Sequence, residues 1–163
     1  MGADSLLVAL MNRGGNKLDQ FLDVSADILV VPRGEGAEGV LTVSVTNRVG
    51  PGEPTVVAGP TPENPAGYGV YTGILAVTLP GGARMARIDG VGSLAVAGPD
   101  GPTRVVGTQV VVAPGATVRR VVRFELPRHG SVRIEPSARV PAVAWVVQGT
   151  DLGRPDGAVR ARW

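Results

Sequence analysis

There is no cysteine in this 163-residue chain, which excludes a disulfide framework and any thiolate nucleophile. A single histidine, His129, excludes a two-histidine metal site, and a Ser-His-Asp triad would have to be built on that one ring. It falls in Pro127-Arg128-His129-Gly130, a turn signal, with no Gly-x-Ser-x-Gly elbow beside it, so it reads as an exposed turn residue. Aromatic residues are only 4 % of the chain, so the core must be built from many small, often β-branched side chains, which suit strands better than helices. No stretch approaches the ~20 apolar residues that span a bilayer as a helix. Leu6 to Met11 is too short for the apolar region of a signal peptide, with no basic residue before it and no small-residue cleavage site after it. That run opens so soon after Met1-Gly2-Ala3-Asp4-Ser5 that the chain is expected to be a piece of a longer protein.

Lysine is nearly absent as well: Lys17 stands alone against fifteen arginines, a bias of the kind a GC-rich genome produces. The formal net charge is only +2, and Arg84, Arg104, Arg119, Arg133 and Arg139 are scattered with almost no rings beside them. A nucleic-acid surface clusters its cations and interleaves aromatics for stacking, so nucleic-acid binding is not expected.

What the chain does have is turn residues and alternation. Glycine (24) and proline (14) are abundant, as a fold with many short strands requires. Val24, Ala26, Ile28 and Val30 alternate with Ser25 and Asp27, the period of a half-buried strand. Leu41 to Thr46 repeats the pattern, and so does Val118 to Leu126, with Arg120 as the exception on the apolar side, placed to snorkel to the edge. Weaker strand candidates are Thr55–Ala58, Val70–Leu79, Met85–Ile88, Leu94–Ala97, Thr103–Val112, Val132–Glu135 and Ala142–Val147. Pro80-Gly81-Gly82, Asp89-Gly90, Pro99-Asp100-Gly101-Pro102 and Pro114-Gly115 punctuate them with reversal chemistry. Short strands at this spacing predict an all-β fold, an immunoglobulin-like antiparallel β-sandwich with long loops. It is expected to fill residues 1–148 as a single domain. Gly14-Gly15 predicts a primed hairpin turn pairing Leu6–Met11 with the strand from Leu18 onward, since two glycines inside a helix would cost ~2 kcal/mol. Residues 51–69, with five prolines, predict the longest loop, and residues 149–163, where periodicity disappears, a flexible tail.

Few residues invite a chemical reading. Asp19, Asp23 and Asp27 recur every four residues, but on a strand Asp23 and Asp27 stand ~13 Å apart, too far for one cation or a glycosidase pair. The glycine patches at 90–92 and 98–101 lack a following Lys-Ser/Thr or helix, so they are turns rather than phosphate cradles. No catalytic, metal or cofactor site is expected. Asn16, Lys17 and Asp19 fit a turn held by a charged pair and side-chain bonds to backbone, or else a small polar recognition patch. Trp145, between Val143 and Val147, reads as core. Tyr68 and Tyr71 lie where the long loop enters a strand and are the candidate contacts for a sugar or peptide.

The run Asn12-Arg13-Gly14-Gly15-Asn16-Lys17-Leu18-Asp19-Gln20-Phe21-Leu22 resembles a strand-turn-strand signature in the C-terminal half of a bacterial family, domain of unknown function four thousand and twelve. Gly52 to Gly59, Gly73 to Pro80 and Val112 to Thr117 continue the likeness in order, over roughly Leu6 to Val147. The resemblance implies an actinobacterial cell-envelope protein, anchored by an N-terminal membrane segment absent here, with this portion on the outer side of the membrane. It carries no catalytic residues to transfer. Two readings follow: a non-enzymatic interaction module binding a protein or surface by loops and one sheet face, or an accessory carbohydrate-binding domain meeting a cell-surface glycan through Tyr68 and Tyr71. Neither involves nucleic acid, nor membrane contact by this segment itself.

Overall fold

The computed structural model describes residues 1–62, 65–137 and 141–163. Arg139, one of the scattered arginines, and residues 63–64 of the long loop lie outside that range. The fold is all-β: two six-stranded sheets pack face to face as a sandwich. One sheet, A, has the order β12 (Val159–Arg162), β9 (Ser131–Ile134), β1 (Ser5–Asn12), β4 (Tyr71–Pro80), β7 (Thr103–Val112), β6 (Val96–Asp100). The other, B, has β11 (Thr150–Gly153), β10 (Val143–Val147), β2 (Leu22–Arg33), β3 (Gly36–Asn47), β8 (Thr117–Pro127), β5 (Arg84–Ile88). Most pairings are antiparallel, as expected, but β1 runs parallel to β9 and β2 parallel to β10, so both sheets are mixed.

Alternation decides sheet B. Along β2 the even positions from Leu22 to Val30 are buried while Ser25 and Asp27 are exposed, and β3 repeats this opposite it through twelve register pairs. The two strands turn through Gly34-Glu35, where Gly34 takes φ +56, the left-handed conformation that a two-residue primed turn demands. Gln148 and Gly149, both at positive φ, make the corresponding turn between β10 and β11. The Gln148 side chain then stands in for a strand: its Oε1 accepts from Val30 N (2.9 Å) and its Nε2 donates to Val30 O (3.3 Å).

Between the sheets lies a core rich in valine and leucine, with Trp145, Leu6, Ile28, Leu41 and Leu75 among the fully buried side chains. Each such burial contributes about 1.5–3 kcal/mol relative to exposure. Where a ring must be fitted, a glycine makes room. The Phe124 ring crosses its β3 partner Gly39 so closely that a Cβ there would stand 2.5 Å from it.

Three expectations are corrected. Leu6–Met11 does not form a hairpin with the chain that follows: β1 pairs with β4 and β9, and the chain crosses through a 3-10 turn (Leu18–Phe21) to β2 in the opposite sheet. Both faces of β1 are apolar, and the completely buried Leu18 plugs the end of the sandwich at the crossing. Residues 149–163 are not a flexible tail, since β11 extends sheet B and β12 extends sheet A, and Trp163 Nε1 donates to Pro127 O at 3.0 Å. Finally, Thr55–Ala58 is a single helical turn rather than a strand, closed by Gly59 N donating to Thr55 O.

Candidate functional site

The turn residues flagged by the sequence form a closed structural knot. Asn12, at the end of β1, donates from Nδ2 to Asn16 O (2.9 Å), to Asp19 Oδ2 (2.8 Å) and more weakly to Asn16 Oδ1 (3.3 Å). Its Oδ1 accepts from Gly14 N at 2.8 Å. Asn16 is buried and donates to Val70 O, and Lys17 N donates to Val57 O, tying the crossing to the long loop. The Asp19 carboxylate is thus engaged by Asn12 and not by Lys17, whose side chain is exposed. The expected charged pair is absent among the described residues, and the segment locks backbone rather than presenting a polar patch.

Tyr68 and Tyr71 do not make a joint surface. Tyr71 is 0 % exposed, on the core side of β4 with Leu75, Val77 and Leu79, its hydroxyl lying over Gly73 without a hydrogen-bond partner. Burial, and secondarily the Asp19 carboxylate, push its phenol above its ordinary pKa. Its proposed ligand contact is therefore corrected to a core role. Tyr68 is 39 % exposed and its hydroxyl donates to Glu53 O at 2.9 Å, closing the loop on itself. Trp145 is core, as expected. Asn47, at the end of β3 and not singled out by the sequence pattern, is the second lock. Fully buried, it donates to Gly69 O (2.7 Å) and Val112 O (2.9 Å) and accepts from Val49 N, so loop, β4 entry and β7 end meet on one amide.

No group of three or more His, Cys, Asp or Glu that could hold a metal occurs among the described residues. His129 sits exposed in a bend. Asp23 and Asp27 share the outer face of β2, but Asp23 is gripped by Arg48 and Arg154, each at 2.6 Å. Hydrogen bonding from Arg48 holds its carboxyl below the usual value; partial burial opposes this, and the charges of both arginines reinforce it.

The outer face of sheet B is a charge lattice. Glu38 on β3 meets Arg33 (3.0 Å), Arg123 (3.5 Å) and Arg87 (3.7 Å), and Arg123 Nε also donates to Asp89 at 2.8 Å. The Asp89 hydrogen bond holds the Arg123 guanidinium above its ordinary pKa. An open groove of about 460 Å³ runs beside this cluster, between Arg33, Glu38, Arg87 and Glu125. Arg120, on the inner side of the same sheet, turns its head outward, where Nη1 donates to Arg119 O, while its Nε is buried without a partner. The snorkelling expected for it is what the strand shows.

The outer face of sheet A is different in kind. Leu7, Ala9 and Met11 of β1 stand opposite Thr78, Ala76 and Ile74 of β4, and the β4 residues in turn face Val105, Gly107 and Gln109 of β7. None of these carries a charge. They do not pack into the core: Ala76 is only 7 % exposed yet lies outside the core cluster, shielded by its neighbours on the outer surface. Val111, at 55 % exposed, prolongs the patch along β7. No described strand or helix forms a third layer over this face. The sequence does carry the signal, in that β1 and β4 are apolar at both odd and even positions, unlike β2 and β3. Among the described residues no helix is long and apolar enough to cross a membrane.

No protein-family model, curated protein or solved structure matches this chain.

Proposed function

We propose that this protein is a non-catalytic interaction module of a cell-envelope protein, and that it works through the outer face of sheet A. The observation that carries the reading is the uncharged surface of β1, β4 and β7, since a single sandwich needs only one apolar face per sheet and this sheet has two. The polar candidates support it from the other side. Asn16 and Asp19 are consumed in backbone locking, and Asp23 and Glu38 of sheet B are held in ion pairs. Placement on the outer side of a membrane is supported by the family resemblance. Glycan binding by a Tyr68–Tyr71 pair has lost its carrier, because Tyr71 is core.

The test is photo-crosslinking in the source cell from a reactive side chain at position 9, on the apolar face, and at position 42, on the charged face. Adducts from position 9 in clear excess over position 42 are expected; equal or absent adducts would sink the reading. Purified protein is expected to be silent on ester, glycoside and phosphate substrates, and turnover abolished by His129→Ala would overturn the non-catalytic assignment.

A further inference from the structure

Resting on the reading of sheet A as a contact face, we infer that the occupant of that face is a second copy of this chain, docked sheet to sheet about a two-fold axis. The axis runs along the strands between β1 and β4, the central pair of the six. An isologous contact of this kind must be self-complementary. The centre of the face meets that demand, because Ala9 and Ala76 on either side of the axis and Gly107 beyond them raise no protruding side chain or charge. Above and below that centre the same rotation sets Leu7 over Thr78 and Met11 over Ile74 of the other copy, so every layer of the contact is uncharged on both sides.

The margins are complementary as well. Rotation about this axis keeps each height along the strands but exchanges the edges, so the β12–β9 edge of one copy lies over the β6 edge of the other. At one height β12 and β9 carry Arg160 and Arg133 in register, while β6 carries Asp100. Arg160 and Arg133 pair with Asp4 (2.8 Å) and Glu135 (3.4 Å) within the chain, and the exposed Arg162 leaves that edge cationic. A two-fold axis across the strands would instead set arginine edge against arginine edge.

Area fixes the strength. Four strands ~4.8 Å apart and about seven residues of ~3.4 Å rise make a face on the order of 500 Å² per copy. Two copies together reach only about 1,000 Å², the lower bound for a specific interface, so the dimer is a weak and concentration-dependent one. Sheet B does expose Leu29, Val31 and Val40, but Asp27, Glu38, Arg123 and Glu125 stand in register among them, so that face offers no comparable uncharged surface.

The experiment uses the purified chain. Sedimentation equilibrium is expected to show the mass rising with concentration from 16.7 kDa toward twice that value. Ile74→Lys, which sets like charges across the axis, is expected to weaken association by at least about tenfold. Because that variant could alter folding, a second measurement uses the absence of native cysteine. Ala9→Cys is expected to cross-link through a short bis-maleimide about tenfold faster than Thr42→Cys on sheet B, given its higher effective concentration across the axis. A chain monomeric at every soluble concentration, or equal cross-linking at the two positions, overturns the dimer. Cellular adducts from position 9 to another macromolecule, with the purified chain monomeric, reject self-association yet leave the interaction module standing. Loss of both rejects the two together.

Discussion

The two outer faces of this sandwich are built from strands of similar length and obey opposite rules. On sheet B the outward positions of β3, from Glu38 through Thr42 and Ser44 to Thr46, are polar but for Val40, and β8 sets Thr117, Arg119, Arg123 and Glu125 beside them. On sheet A the outward positions of β1 are Leu7, Ala9 and Met11, and those of β4 are Thr72, Ile74, Ala76 and Thr78. The difference teaches that the core alone cannot account for the apolar residues of sheet A. Sheet B turns most of its hydrophobic side chains to one surface and leaves Leu29, Val31, Val40 and Val121 interspersed with charges on the other, whereas sheet A keeps an uncharged second face.

The sharpest way to break the comparison is within one strand. Leu75 and Ile74 are neighbours on β4, one in the core and one on the outer face. Leu75→Ala is expected to lower unfolding free energy by about 2–5 kcal/mol in urea denaturation, the cost of a cavity. Ile74→Thr keeps the branched β-carbon and is expected to stay within about 0.5 kcal/mol, while it weakens self-association. A loss at Ile74 as large as that at Leu75 would place the outer face in the core and remove the basis for a contact surface.

A smaller effect is expected on sheet B. Glu38→Gln leaves Arg33, Arg87 and Arg123 clustered without their shared carboxylate, and should cost roughly 1 kcal/mol at low salt, less as salt screens the charges. Association through sheet A should respond far less to salt. Equal sensitivity of the two would mean that the supposedly apolar contact is electrostatic.

The smallest expected effect concerns Asp23. Its carboxyl is held below its ordinary pKa in the folded chain, chiefly by Arg48, so the unfolded chain binds a proton more readily. The sign follows: this group's stabilisation is complete above the unfolded-state value and is lost as pH falls through the lower, folded-state value. Asp23→Asn should cost under about 1 kcal/mol at neutral pH, since the pair is partly exposed, and the gap to the parent should close in acid. Denaturation curves of both proteins from neutral to acid pH check it; a gap that widens in acid would reverse the assignment.

Much of this architecture is legible in the residues, though unevenly. β2, β3 and β8 announce themselves through alternation, and β7 occupies the predicted Thr103–Val112. β11 and β12 escape because each has four residues and a single side chain packed on the core, Leu152 and Ala161, too few to make a period. Tyr71 was readable after all: counting by twos from Leu75, Val77 and Leu79 puts it on their side of β4. Its loop-side position suggested exposure, and the parity of the strand overruled that. Asn47 could not be found by alternation, because its value comes from carbonyls at Gly69 and Val112, far away in sequence.

Local chemistry settled where strands start and stop, since alternation, proline and glycine act within a few residues. It also settled that Gly14-Gly15 turns the chain. What that turn joins was decided only in three dimensions: the same two glycines serve a hairpin or a crossing, and here the chain crosses, β1 pairing with β4 and β9 while β2 lies in the opposite sheet. For β2 the side shared by Asp23, Ser25 and Asp27, and for β3 the side shared by Glu38, Thr42, Ser44 and Thr46, orients the strand in advance. For β1 and β4 no such marker exists, so which apolar face turned inward, and which remained outside to meet a partner, was decided by packing against the opposite sheet.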